Sequence, residues 1–201
     1  MEECQSGSFL KRPSGSYGIR EVGMQDGRGE RVWGSIDTLL RERFPASSQG
    51  MRGPASGSAL ERIEAETGLP LPQLLKEMLR LRDGQMTPSI FGEDFDFLAA
   101  KEILEHWRAH VSVLGYVPDE SEVDVDPELV SRCDPGVKPR VANRKWLPFA
   151  DSKGDVTVYV DFDPKIGGQI GQIIEVDPEG MSWRVLAASF DEYLANRLHA
   201  D

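Results

Sequence analysis

Glu102, His106 and His110 are spaced four residues apart. On a helix that spacing lines all three along one face, where two imidazoles and a carboxylate could meet a metal ion. A plainer reading outweighs it. The same stretch carries an apolar stripe centred on Ala100, Ile103 and Trp107, and the histidines flank its edge, where amphipathic side chains ordinarily sit. A two-histidine helix also needs a third ligand from elsewhere, so neither a metal nor a cofactor is expected.

Asp155, Asp161 and Asp163 are the second constellation. Paired carboxylates can exchange protons or hold Mg²⁺, and Asp155 and Asp161, six apart in an extended segment, share a strand face. Yet an Asp after a turn glycine and an Asp before Pro164 commonly accept backbone N–H bonds. The set therefore reads as structural or as a partner contact, and no catalytic residue is assigned. A metal-dependent hydrolase built on the three aspartates stays as the outlying alternative. Gly167-Gly168-Gln169-Ile170-Gly171 is glycine-rich but lacks the lysine of a phosphate loop, and reads as a turn with a bulge. No nucleophile elbow or dinucleotide fingerprint occurs. Cys133 has Asp134 beside it, which disfavours a thiolate, and Cys4 and Cys133 are too few for a disulfide scaffold.

The elements that must carry these residues are legible in the hydropathy pattern. Residues 1–30 are interrupted by six glycines and read as a Gly/Ser-rich flexible leader. Residues 31–201 read as a single domain. A helix starts at Trp33, with Ile36, Leu39, Leu40 and Phe44 on its stripe and Pro45 ending it. Ser58-Ala59-Leu60-Glu61 has capping-box spacing and opens a second helix that Gly68 closes. Pro72 opens a third, with Leu74, Leu75, Met78, Leu79 and Leu81 inward, and Asp83-Gly84 closes it. A fourth runs from about Ala99 to His110, with Ile103, Leu104, Trp107 and Val111 inward.

From Trp146 the pattern switches to period two. Trp146–Ala150 is a short apolar strand. Val156, Val158, Val160 and Phe162 alternate with Asp155, Thr157, Tyr159 and Asp161, so one face is expected to be apolar and the other polar. Gln169–Val176 and Met181–Ala187 read as a strand pair, and Ser189 to Glu192 as a second capping box opening a last helix. Helices, then sheet, then helix is an α+β plan.

Composition narrows the function. With 39% hydrophobic and 28% charged residues the chain is globular, and 34 acidic against 23 basic residues give −11. Such a molecule repels nucleic acid phosphate and favours basic partners. Residues 117–128 hold six acids, Asp119, Glu120, Glu122, Asp124, Asp126 and Glu128, and read as an exposed loop. Met1-Glu2-Glu3-Cys4-Gln5 has acids where a signal peptide requires bases, and no run approaches the ~18 apolar residues of a membrane span. The expectation is a cytoplasmic protein without a membrane partner.

The string LERIEAETGLPLPQLLKEMLRLRDGQ (60–85) resembles the opening of the Smi/Knr cell-wall-assembly domain of the SUKH superfamily. KWLPFADSKGDVTVYVDFDP (145–164), GGQIGQII (167–174) and SFDEYL (189–194) resemble its later segments in order and spacing. On this likeness Glu64, Pro70, Gly84, Trp146, Pro148, Gly154, Asp155, Asp161, Pro164, Gly171 and Gln172 occupy signature positions. The resemblance implies a central, mostly antiparallel sheet flanked by helices. It also implies a non-catalytic role. Many bacterial members are immunity proteins that neutralise toxins, many of them acting on nucleic acid, and fungal members are scaffold-like regulators of cell-wall assembly and signalling. The expected partner is a cognate toxin or other basic protein, met by the six acids of 117–128 with Asp155, Tyr159 and Asp161. Trp146, Tyr159 and Tyr116 are candidate aromatic anchors, each read more readily as core. The expected state is a monomer or weak dimer.

Overall fold

The computed structural model describes residues 27–43, 52–86, 89–92, 94–115, 131–154 and 156–199. The leader up to residue 26, Phe44 and Pro45, Tyr116, the acidic stretch 117–128 and Asp155 lie outside the described residues.

Helix α1 (Arg28–Arg43) begins five residues before the Trp33 at which its apolar stripe starts, and so reaches into the segment read as leader. Its first turn lies close to α3 (Gln73–Leu81): a Cβ on Gly29 would sit 3.0 Å from that of Glu77, so a residue with no side chain permits the approach. Trp33 and Ile36 are buried, and the Trp33 indole Nε1 donates to the Met78 carbonyl at 3.0 Å.

Helix α2 (Gly57–Thr67) is capped by Ser56, not Ser58: Ser56 is extended, and its Oγ accepts from the Ala59 N–H at 3.1 Å. The chain has turned helical before Ser58, whose hydroxyl instead lies 3.1 Å from that of Ser56. Gly68, at φ 69°, ends the helix in the left-handed conformation that glycine adopts without strain. Pro72 stands just before α3, which buries Leu74, Leu75, Met78 and Leu79 and leaves Leu81 half-buried.

In α4 (Ala100–Ser112) Ala100, Ile103 and Leu104 face the core. Trp107 and Val111, expected inward, are only half-buried, and the Trp107 indole reaches across to the Arg144 carbonyl at 3.0 Å. Helix α5 (Phe190–His199) is capped by Ser189 as its spacing predicts, but Glu192 reaches back one residue beyond the cap. Ser189 Oγ accepts from Glu192 N–H at 3.2 Å, and the Glu192 carboxylate accepts from Ala188 N–H at 3.0 Å.

Among the described residues five strands form one antiparallel sheet in chain order: β1 (Asp96–Phe97), β2 (Trp146–Asp151), β3 (Thr157–Asp161), β4 (Gln172–Asp177) and β5 (Ser182–Ala187). The α+β plan with its helix-flanked antiparallel sheet is what the sequence predicts. The two-residue β1 is too short to show a period.

The polar face expected on β3 is not open. β3 is buried on both faces, with Val158, Tyr159, Val160 and Asp161 each at most 6% exposed. Val158 and Val160 join Leu147, Phe149, Ile173 and the helices in the larger core. On the other face Trp146, Tyr159, Ile174, Val176 and Trp183 form a second core with Val137. The chain from 131 to 145 supplies that cover together with His110 of α4, whose ring lies against those of Trp146 and Tyr159. The 131–145 segment has no hydrophobic period, so its burial of a second sheet face is not legible in the sequence.

Candidate interaction site

The described signature residues divide into those that fasten this 131–145 strap to the sheet and those that shape turns at its rim. Asp161 ends β3 with no exposed surface. Its Oδ1 accepts from the Trp146 indole at 3.1 Å and from Asp163 N–H at 2.8 Å; its Oδ2 accepts from Gln172 Nε2 at 2.9 Å. Gln172 lies directly across from it in β4. The same Gln172 amide donates to the Gly136 carbonyl at 3.0 Å, and its oxygen accepts from Gln169 N–H at 3.0 Å. One carboxylate and one amide thus tie β2, β3, β4, the strap and the β3–β4 turn together.

A second layer surrounds them. Asp163 accepts from Lys138 Nζ at 2.6 Å and Asn143 Nδ2 at 3.0 Å. Burial opposes ionisation there, but the Lys138 and Asn143 bonds win and hold its carboxyl below the ordinary range. At Asp161 the balance reverses, and burial holds its carboxyl above that range despite the donors. His110 accepts from Asn143 N–H at Nε2, 2.9 Å, and its Nδ1 lies 3.3 Å from the Tyr159 hydroxyl. Burial pushes His110 down to about 4 and the Tyr159 phenol up to about 12, so both are neutral at ordinary pH.

The candidate metal face is engaged in the same way. Glu102 accepts from Ala99 N–H at 2.9 Å and pairs with Arg52 at 2.7 Å. His106 faces Asp151 across 3.7 Å. Among the described residues no group of three or more metal-ligating side chains converges. Asp151, which the sequence shows only as the start of a turn, is 4% exposed and accepts from Gly154 N–H and Thr157 Oγ1, both at 2.7 Å. The Asp-x-x-Gly spacing was its signal; its burial had none. Burial also pushes the half-buried Cys133 thiol up to about 11, and its sulfur lies 3.4 Å from the Val137 carbonyl.

Two residues expected to meet a partner are therefore corrected. Asp161 and Tyr159 lie inside, because the strap covers the strand face that alternation left open. Trp146, a candidate anchor, is likewise fully buried. The other expected contacts, Asp119, Glu120, Glu122, Asp124, Asp126, Glu128 and Asp155, fall outside the described residues.

The remaining signature positions shape turns. Glu64 accepts from Leu71 N–H at 3.1 Å and pairs with Lys76 at 2.7 Å, holding the turn that contains Pro70. Gly84, at φ 84°, packs so tightly that a Cβ would stand 2.6 Å from the Phe97 carbonyl. Pro148 adjoins the register shift in the β2–β3 pairing. Gly154 (φ 103°) and Gly171 (φ 86°) take left-handed turns, and Pro164 lies half-buried in the β3–β4 connection. Every buried carboxylate described here accepts from a protein donor. Among the described residues no helix is long and apolar enough to cross a membrane.

The model of the SMI1 / KNR4 family (SUKH-1) matches residues 54–196, a span that takes in the whole sheet, the strap and the described helices apart from α1 and the last three residues of α5. No curated protein matches the chain.

Proposed function

The chain belongs to the SMI1 / KNR4 family (SUKH-1), and from that premise we propose that it is an immunity-type protein that binds a basic protein toxin and neutralises it by covering its working surface. Its partner, on this reading, acts on nucleic acid and needs a basic cleft to do so. A chain of net charge −11 enters such a cleft as a substitute for phosphate, and complementary charge speeds the encounter. The observation that supports the reading is the state of the inner acids. Buried Asp151 and Asp161 and half-buried Asp163 are held by internal donors, which supports a part for them in the fold and a working contact elsewhere. No turnover, metal or cofactor enters the proposal.

The test is co-expression and co-purification with the protein encoded beside it. The expected result is a one-to-one complex that abolishes the toxin's activity and whose association rate falls as salt rises from about 50 to 500 mM. A toxin that stays fully active in a stoichiometric mixture sinks the proposal.

A further inference from the structure

Tyr193 of α5 is only 5% exposed, yet no described residue forms a hydrogen bond with its hydroxyl. Its ring is held in place, stacked on Phe91 at 5.7 Å and edge-on to Phe149 at 5.8 Å. Burial pushes the phenol up to about 12, so the hydroxyl stays a donor. A buried donor without a protein partner calls for one from outside. Tyr193 lines a cleft of about 470 Å³, and cavities that hold small ligands run from about 300 to 1,000 Å³.

The cleft also holds one unspent charge of each sign. Asp94 comes from the segment before β1 and Arg197 from α5. Among the described residues neither has an ion-pair partner, and they are not paired with each other. Arg197 Nε donates to the Ile90 carbonyl at 3.2 Å, which positions the guanidinium and leaves its two Nη groups without a described partner. Glu175 lines the cleft as well, but it is paired with Arg184 and the two charges cancel. Gly92 keeps the space open. A Cβ there would stand 3.0 Å from the Phe95 ring and 3.7 Å from Arg197 Nη2. Ser89 and Gly92 exchange backbone hydrogen bonds at 3.0 and 3.1 Å, so the wall that Gly92 forms is braced.

We propose that this cleft binds a free α-amino acid with an apolar side chain, its carboxylate on Arg197, its ammonium on Asp94 and its side chain against Phe95, Leu186 and Tyr193. The local charges select that class. A purely cationic ligand would face the Arg197 guanidinium, and a purely anionic one the Asp94 carboxylate. A zwitterion satisfies both, and a guanidinium fork suits a carboxylate. The Tyr193 hydroxyl lies near enough to Arg197 to feel its charge and is a second donor for the same carboxylate. The groups are braced before the ligand arrives, which lowers the cost of ordering them. Binding here involves no covalent step, and the site does not rest on the proposed contact with a toxin.

The test is an NMR titration of the full, isotope-labelled chain with L-phenylalanine, read at the Gly92 and Arg197 amides. Phenethylamine, which lacks the carboxylate, and phenylpropanoate, which lacks the ammonium, are the comparison ligands. The expected result is saturable binding with Kd below about 1 mM, and each comparison ligand at least about tenfold weaker for want of one charge-assisted bond. Asp94→Asn and Arg197→Gln should each weaken L-phenylalanine about tenfold, and Tyr193→Phe, which keeps the ring, about fivefold. Melting temperatures check folding. Asp94 is exposed, so Asp94→Asn carries the test if Arg197→Gln does not fold. No saturation by about 10 mM overturns the site. A comparison ligand that binds within twofold of L-phenylalanine overturns the amino-acid assignment in favour of a singly charged ligand. Folded variants that all bind within twofold of wild type place the binding elsewhere and overturn the proposal.

Discussion

Replacing Asp161 by alanine strands three donors at once: the Trp146 indole, the Asp163 N–H and one of the two bonds made by the Gln172 amide. A buried polar group left without its partner costs about 1–3 kcal/mol, so Asp161→Ala is expected to lose about 3 kcal/mol or more in urea unfolding at pH 7. Asp161→Asn keeps one accepting oxygen and should lose about half as much. Equal stability of all three proteins would show that the network contributes nothing. His110 gives a pH signature. Its folded value of about 4 lies below the ordinary 6.5, so between those values the unfolded chain binds a proton that the folded chain refuses. Stability should therefore be fully present above pH 6.5 and fall as pH drops toward 4. The expected loss is about 2 kcal/mol between pH 6.5 and 5. The lowered carboxyls of Glu64, Glu102 and Asp163 act in the same direction, but lose their contribution only as pH falls below the ordinary carboxyl values. His110→Gln should flatten the slope above pH 5; an unchanged slope assigns it to another group.

At the scale of the element, helix α2 allows a direct check of where a helix begins. Ser56 and Ser58 both precede an apolar run, but only Ser56 is extended with its hydroxyl on a free backbone N–H. Ser56→Ala should cost about 1 kcal/mol and Ser58→Ala a few tenths at most. The reverse order would restore the capping box that the spacing suggests. Gly136, at φ 93°, meets Gly168 backbone atoms 2.7 Å from where a Cβ would stand. Gly136→Ala should therefore loosen the strap, and faster exchange of the Lys165 N–H, which bonds to Gly136, is the expected reading. Long amphipathic helices and alternating strands were legible because their periods are local. β1 and the strap were not, because two residues have no period and the strap's burial follows no regular spacing.

For the whole molecule, charge decides the kinetics of the proposed encounter. Neutralising Asp119, Glu120, Glu122, Asp124, Asp126 and Glu128 to their amides should slow association about tenfold at low salt while leaving dissociation nearly unchanged. Stopped-flow mixing at two salt concentrations is the measurement, and the difference should shrink at high salt. An unchanged association rate would take the acidic stretch out of the contact.

The amino-acid sequence alone determined the α+β plan, most helix and strand positions, the glycine turns and the acidic balance, because each depends on residue type at short spacing. It also carried the family resemblance that the matched span bears out. Only the tertiary structure decided which aspartates face inward. Asp161 reads as one of an exposed pair until the strap folds over β3, and that cover comes from a segment some 20 residues earlier in the chain. Burial is set by whatever chain lies across a residue, and no local pattern in the residue's own strand records it.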